Sequence, residues 1–230
     1  MKVGIVGGIG PESTVDYYKS IITEYRKVKQ DDSYPEIVID SINMMKMLDL
    51  VLKKEWDNLA NMLVQAIGNL KKAGADFAVI ASNTPHVVFD RVQALSPLPV
   101  FSIVEEACKK AGELKLKKLG LLGTAFTMEE SFYKDCFIRN GINIVIPSDA
   151  EQKLIHERIF NELESGTVRQ ETKNEFISII DRMIKDDFID GLILGCTEFP
   201  LILHNGDCSI PFLNTVEIHV QCIIRELLNN

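Results

Sequence analysis

Phe77-Ala78-Val79-Ile80-Ala81-Ser82-Asn83-Thr84-Pro85-His86 and Leu192-Ile193-Leu194-Gly195-Cys196-Thr197-Glu198 are the two stretches that decide the fold. Each is a short, continuous apolar run that ends in a polar triplet. A run of that kind is the mark of a strand buried on both faces, as in a parallel sheet. An aspartate, Asp76 or Asp190, stands just ahead of each run. Ser82 and Cys196 are 196 − 82 = 114 residues apart. A second pair, Lys2-Val3-Gly4-Ile5-Val6-Gly7 and Lys118-Leu119-Gly120-Leu121-Leu122-Gly123, repeats at nearly the same interval, with Gly4 and Gly120 separated by 116. Recurrence at a fixed offset signals a repeated unit. The chain therefore reads as two related halves, one delivering a hydroxyl and the other a thiol from equivalent strand ends.

Outward from these strands, helical and extended patterns alternate. Gly7-Gly8-Ile9-Gly10-Pro11-Glu12-Ser13-Thr14 turns the chain from the first strand into a helix, with Pro11 suited to a first helical position and Glu12 complementing its N-terminus. Tyr17, Tyr18, Ile21, Ile22 and Tyr25 carry that helix. Glu36–Asp40 reads as a second strand and Trp56–Lys72 as a helix ending at Gly74. A short helix is expected from His86 to Leu95, and Ser96-Pro97-Leu98-Pro99 gives the best internal boundary. Val100-Phe101-Ser102 leads into a helix from Val104 to Leu114. In the second half, Leu119–Leu122 and Asn143–Ile146 are strands, and Thr124 caps a helix carrying Met128, Phe132 and Tyr133. Asp149–Leu163, Arg169–Ile184 and Val216–Leu228 are helices, and Ile210-Pro211-Phe212 is an edge strand. This alternation calls for an α/β fold of two similar lobes, each a parallel doubly wound sheet flanked by helices. The lobes are expected at 1–97 plus 209–230 and at 98–208. In such sheets ligands bind beyond the carboxyl ends of the strands, where every motif above falls.

The 230 residues carry a net charge of −8, which argues against a nucleic-acid partner, since phosphate binding needs a basic footprint. No apolar run approaches the roughly 20 residues of a membrane span, and Met1–Gly8 reads as a strand and its turn instead of a signal peptide. The five cysteines (Cys108, Cys136, Cys196, Cys208 and Cys222) are odd in number and lack CxxC spacing. A disulfide framework or metal site is therefore not expected, and a reduced cytoplasmic setting is the default.

Taken together, Gly7–Thr14, Ser82-Asn83-Thr84-Pro85-His86, Gly123-Thr124-Ala125-Phe126-Thr127-Met128-Glu129 and Gly195-Cys196-Thr197-Glu198 resemble the motifs of the aspartate/glutamate racemase family across essentially the whole chain. The resemblance implies an isomerase needing no cofactor, pyridoxal phosphate included, and acting on an amino acid as its small-molecule substrate. It also implies a homodimer of two-lobed chains with pseudo-two-fold symmetry, whose active site lies in the cleft between the lobes with one cysteine from each. The chemistry explains the pair, because inverting an α-carbon removes a proton from one face and delivers another to the opposite face. Thiols suit both tasks, since a free pKa of about 8.5 keeps thiol and thiolate both within reach near neutrality. By the same resemblance Cys196 is the acid or base on one face. Asn83, Thr84 and Thr197 hold the substrate carboxylate, with Gly8, Thr124, Phe126 and Thr127 as further substrate contacts and His86 and Glu198 in support.

The chain departs from that pattern in two places. Ser82 stands where the first cysteine is usual, and a serine needs an activating neighbour such as His86 to serve as a base. Leu48 and Glu164 occupy the positions where aspartate-specific members carry an arginine and a lysine. An acidic residue there repels a second carboxylate, which counts against aspartate as substrate.

Plainer roles stand beside these. Cys196 also fits a buried strand-end cysteine, Ser82 a helix cap, and His86 a partner of nearby backbone. Three alternatives stay open: a catalytically impaired ligand-binding relative, a single-cysteine decarboxylase, and an NAD-binding oxidoreductase. The last rests on Gly8-x-Gly10-x-x-Ser13 followed by Asp40 at the end of the next strand, although the third glycine of the dinucleotide fingerprint is missing.

Overall fold

The computed structural model describes residues 1–229, which form two compact units, Met1–Ile103 with the segment from Val216 onward, and Val104–Thr215. In chain order the strands are β1 (Lys2–Gly7), β2 (Glu36–Ser41), β3 (Phe77–Ile80), β4 (Val100–Phe101), β5 (Lys118–Leu122), β6 (Asn143–Val145), β7 (Gly191–Leu194) and β8 (Phe212–Asn214). The α-helices are α1 (Pro11–Lys29), α2 (Met44–Leu52), α3 (Trp56–Lys72), α4 (Phe89–Leu95), α5 (Ile103–Glu113), α6 (Ala125–Glu129), α7 (Phe132–Arg139), α8 (Asp149–Asn161), α9 (Gln170–Asp187) and α10 (Thr215–Leu228).

The first unit holds a parallel sheet of order β2-β1-β3-β4, and the second a parallel sheet of order β6-β5-β7-β8. Substituting one set of labels for the other gives the same topology twice. The repeat extends to single atoms. Asp76 accepts the backbone N–H of Lys2 at 2.6 Å and returns its own N–H to the Lys2 carbonyl at 2.9 Å. Asp190 accepts from the N–H groups of Lys117 and Lys118 at 2.8 and 2.9 Å and donates to the Lys118 carbonyl at 2.8 Å. The aspartate ahead of each central run thus pins the register of the neighbouring strand.

Gly4 and Gly120 repeat for a packing reason. A Cβ at Gly4 would meet Ala75 Cβ and Leu70 Cβ at 3.0 Å, and one at Gly120 would meet Leu192 Cδ1 at 2.8 Å and Ile189 Cδ1 at 3.0 Å. At Gly4 the obstacle is the end of α3 and the residue after its turn, and at Gly120 it is the side-chain tips of Leu192 and Ile189, so each glycine leaves room for a close neighbour. In the first unit, α3 turns Leu59, Leu63, Ile67 and Leu70 onto the sheet at helical spacing, all buried. Each such side chain contributes about 2 kcal/mol of hydrophobic transfer. On a second face, Tyr17 and Ile21 of α1 and Val220, Ile223, Ile224 and Leu227 of α10 share a core with Val3, Ile5, Phe77 and Val79. In the second unit α9 plays the corresponding part, with Phe176, Ile180 and Met183 buried against Leu122, Leu192 and Leu194.

Several elements differ from the expectation. Met44–Leu52, a stretch between the expected second strand and the Trp56 helix with no element assigned to it, is a helix whose N-cap Asn43 accepts from the Lys46 N–H at 3.1 Å. The helix expected from His86 opens as a 3-10 turn over Thr84–Val88 and becomes α-helical only from Phe89. The helix expected through Met128 and Tyr133 is two helices, α6 and α7, broken where Glu130 turns extended. The helix from Asp149 ends at Asn161, with a 3-10 turn over Leu163–Ser165. The strand expected at Ile210–Phe212 lies two residues later, at Phe212–Asn214.

The units also divide later than positions 97 and 208. β4 pairs with β3, so Val100 and Phe101 stay with the first unit, and β8 pairs with β7, so Phe212–Asn214 stays with the second. Among the described residues, no helix is long and apolar enough to cross a membrane.

Candidate functional site

The residues singled out from the sequence fall into two groups, one at the carboxyl end of each sheet. In the first unit β3 ends at Ile80 and delivers Ser82, half-buried, then Asn83, buried at 5% exposure. Thr84 follows, half-buried, at the start of the 3-10 turn. The α1 hydroxyl of Ser13 donates to the Ala81 carbonyl at 3.1 Å and so ties this strand end down.

His86 is fully engaged by backbone. Its Nδ1 lies 2.9 Å from the Ser82 carbonyl, and its Nε2 accepts the Ile103 N–H at 3.3 Å. That pair of contacts fixes the tautomer with the proton on Nδ1. Burial, and then the nearby His219, push the ring pKa down to about 3. His219 is buried likewise, its Nε2 donating to the Phe101 carbonyl at 3.0 Å while Nδ1 meets the Tyr17 hydroxyl at 2.8 Å. His86 therefore holds the chain on either side of Ser82 in place, and its ring nitrogens do not serve the Ser82 hydroxyl.

Gly8 and Leu48 complete the first group. Gly8 has φ +79°, and a Cβ there would lie 2.4 Å from the Ile42 carbonyl oxygen, so glycine is required. Its N–H donates to the Thr14 hydroxyl at 2.8 Å, which in turn donates to the Gly10 carbonyl at 3.1 Å. The amide expected to face substrate is spent inside the turn. Asp40, the candidate ribose acid, accepts from the Asn69 side chain at 2.9 Å. The fingerprint-like segment is thus closed on itself at two of its points. Leu48 sits half-buried on α2.

In the second unit β7 delivers Cys196, half-buried, whose thiol donates to Glu198 Oε2 at 2.8 Å. Thr197 donates to the other oxygen, Oε1, at 2.8 Å. One carboxylate thereby orients both groups of the triplet. Desolvation, followed by the charge of Glu198 and the hydrogen bond to it, raises the Cys196 thiol well above its ordinary range, and Glu164 adds to the effect. The thiol is consequently the resting form at neutral pH. Glu164, exposed beyond α8, has its own carboxyl raised by desolvation and by the charge of Glu198. Two carboxylates and a thiol thus share one electrostatic neighbourhood.

Thr124 is the N-cap of α6, its hydroxyl accepting from the Thr127 N–H at 3.3 Å. Thr127, expected to touch substrate, is only 1% exposed, and its hydroxyl pairs with that of Thr124 at 3.1 Å. It shapes the turn from within. Phe126 stays half-buried and packs against Phe132, ring centroids 6.4 Å apart.

Two neighbours carry no signal in the sequence. His156 of α8 accepts the Ala125 N–H at 3.3 Å, using up the first donor of α6. Tyr133 is buried at 0% exposure and hydrogen-bonded with Thr215, and its hydroxyl pKa is raised by burial, with Cys136 and Cys196 adding to it. Both contacts are tertiary, joining segments more than twenty residues apart. Among the described residues there is no group of three or more His, Cys, Asp or Glu side chains that could hold a metal ion.

A profile of the Asp/Glu/hydantoin racemase family matches residues 6–223. The chain belongs to that family. Along the chain it is similar to a broad-specificity amino-acid racemase of Bacillus subtilis, 26% identical over 219 residues that cover 93% of this chain and 92% of the relative. Matches to glutamate racemases are shorter: that of Aquifex aeolicus is 29% identical over 153 residues, 64% of this chain and 56% of the relative. Among solved structures, an aspartate racemase homologue from Pyrococcus horikoshii is 35% identical, with TM-score 0.90 and 99% of each chain covered. A structure described as an Asp/Glu racemase of Yersinia pestis is 29% identical, with TM-score 0.93 and all of both chains covered. Family members and neighbours share the two-sheet α/β architecture found here, and the family is one of racemases, isomerases acting on amino acids.

Proposed function

We propose that this racemase-family protein inverts the α-carbon of an amino acid without a cofactor, with Cys196 serving one face and Ser82 the other. The observation that carries this reading is the Cys196–Glu198 hydrogen bond at 2.8 Å, which holds a protonated thiol at the end of β7. A protonated thiol is ready to deliver a proton to a carbanion. In the opposite direction the same carboxylate is placed to receive the thiol proton and leave the thiolate as base. Asn83 and Thr84, held at the end of β3, supply donors for the substrate carboxylate, and Thr197 joins them once its hydroxyl proton turns from Glu198 Oε1. Glu164 and Leu48 disfavour a side-chain carboxylate, so the preferred substrate is an amino acid other than aspartate or glutamate. Catalysis in a homodimer is part of the same reading.

A second reading is favoured by one observation. Both nitrogens of His86 are committed to backbone, so Ser82 lacks a histidine base. A protein with one competent thiol would deliver a proton to a single face, as a decarboxylase does. A screen of L- and D-amino acids in deuterated water separates the two, with α-proton loss and inversion read independently. The racemase reading expects deuterium incorporation with inversion, abolished by Cys196→Ala. Carbon dioxide release without inversion would favour the decarboxylase, and exchange that survives Cys196→Ala would remove Cys196 from the mechanism.

A further inference from the structure

Two cysteines that play no part in this chemistry face each other inside the second unit. Cys108 on α5 and Cys136 on α7 are both free thiols, 4% and 6% exposed. The Sγ of Cys108 donates to the Cys136 carbonyl oxygen at 3.9 Å, which sets the two cysteines side by side. Asn140, one turn further along, donates to the same carbonyl at 2.9 Å and fixes the end of α7. We propose that Cys108 and Cys136 form a built-in dithiol that peroxide converts to an internal disulfide joining α5 to α7.

The pair has an asymmetry that suits the reaction. The neighbouring Cys108, aided by Arg139, lowers the pKa of Cys136, while the nearness of Cys136 together with burial raises Cys108. Cys136 is therefore the nucleophile and Cys108 the resolving thiol. The Cys136 thiolate attacks one peroxide oxygen; the O–O bond breaks, hydroxide leaves and takes up a proton, and Cys136 becomes a sulfenic acid. Cys108 then attacks that sulfur, the S–O bond breaks, and water leaves with the proton that Cys108 gives up. Two thiols and one peroxide become one disulfide and two waters. Hydrogen peroxide is small enough for thiols this buried, where a bulkier disulfide oxidant would be excluded. The loop closed by the new bond contains β5 and α6, and with them Thr124, Phe126 and Thr127.

The test is peptide mapping of the wild-type protein. Treat it with hydrogen peroxide at neutral pH, alkylate in denaturant, digest without reductant, and read the cysteine peptides by mass spectrometry. The expected result is a peptide linking Cys108 to Cys136 that disappears on reduction. Recovery of both cysteines as alkylated thiols, while Cys196 or Cys208 is oxidised, overturns the proposal. So does a disulfide joining either one to another cysteine. In Cys108→Ser the resolving thiol is gone, and Cys136 should accumulate as a sulfenic acid trapped by dimedone; an unlabelled Cys136 in that folded variant refutes the assigned order of attack. The wild-type map decides the main proposal whether or not the variant folds.

Discussion

Acidification from pH 7 to pH 5 should cost the first unit about 4 kcal/mol of stability through two side chains, His86 and His219. Both rings are buried and neutral, with pKa values pushed from 6.5 to about 3 and about 4. In the unfolded chain each takes up a proton as pH falls through about 6.5, while in the folded chain neither does until much lower pH. Unfolding therefore binds protons in this window, and stability falls as pH falls. Each histidine contributes about 2 kcal/mol between pH 7 and 5. That magnitude is set by the unfolded value alone, because both folded values lie well below pH 5. The lowered carboxyl groups Glu151, Glu175 and Asp207 act below their unfolded values, so their effect falls outside this range. Urea unfolding followed by circular dichroism at the two pH values gives the difference directly. His86→Gln and His219→Gln should each remove about half of the pH-dependent loss, whatever they do to stability at pH 7. A wild-type loss below about 1 kcal/mol, or variants with the wild-type slope, would show that the rings are not held neutral by the fold.

Two further outcomes follow from the strand ends. Glu198→Gln removes a charge and a charged acceptor from the Cys196 thiol, so its pKa should fall and its alkylation by iodoacetamide at mildly alkaline pH should speed up several-fold; peptide-resolved kinetics read this, and an unchanged rate would mean that desolvation alone sets the thiol. Gly8→Ala should destabilise by more than about 1 kcal/mol in a urea titration, because the backbone is left-handed there and the Ile42 carbonyl blocks the new methyl; a neutral substitution would mean that the turn relaxes freely.

The sheets and their repeat were legible because they rest on local signals. Continuous apolar runs marked β3 and β7 to the residue or nearly so, and the equal spacing of Gly4 and Gly120 marked the repeat. Asn43 followed by Met47 and Val51 carried a cap and a helical stripe for α2, but the segment is short and five of its residues from Met44 to Leu50 are apolar, which blurs the stripe. The site was legible in its residue types and less so in their duties. Thr127 and Gly8 were expected to face a ligand, yet they bond to Thr124 and Thr14 inside their own turns, and residue type alone does not say which way a turn closes. His86 reads identically in sequence whether it meets a hydroxyl or a carbonyl. His156, Tyr133 and the Cys108–Cys136 pair depend on helices that meet in space, and no spacing rule anticipates them.

The place of α10 bears on how the molecule is made. Its side chains complete the core beneath β1 and β3, so those early-translated strands wait for the last helix before one face is covered. The Val104–Thr215 unit is contiguous and has every strand and helix it needs once Thr215 has left the ribosome. Synthesis from the N-terminal side therefore leaves one apolar face of the earlier sheet uncovered for as long as the second unit is being made, an interval in which chaperones have a surface to bind.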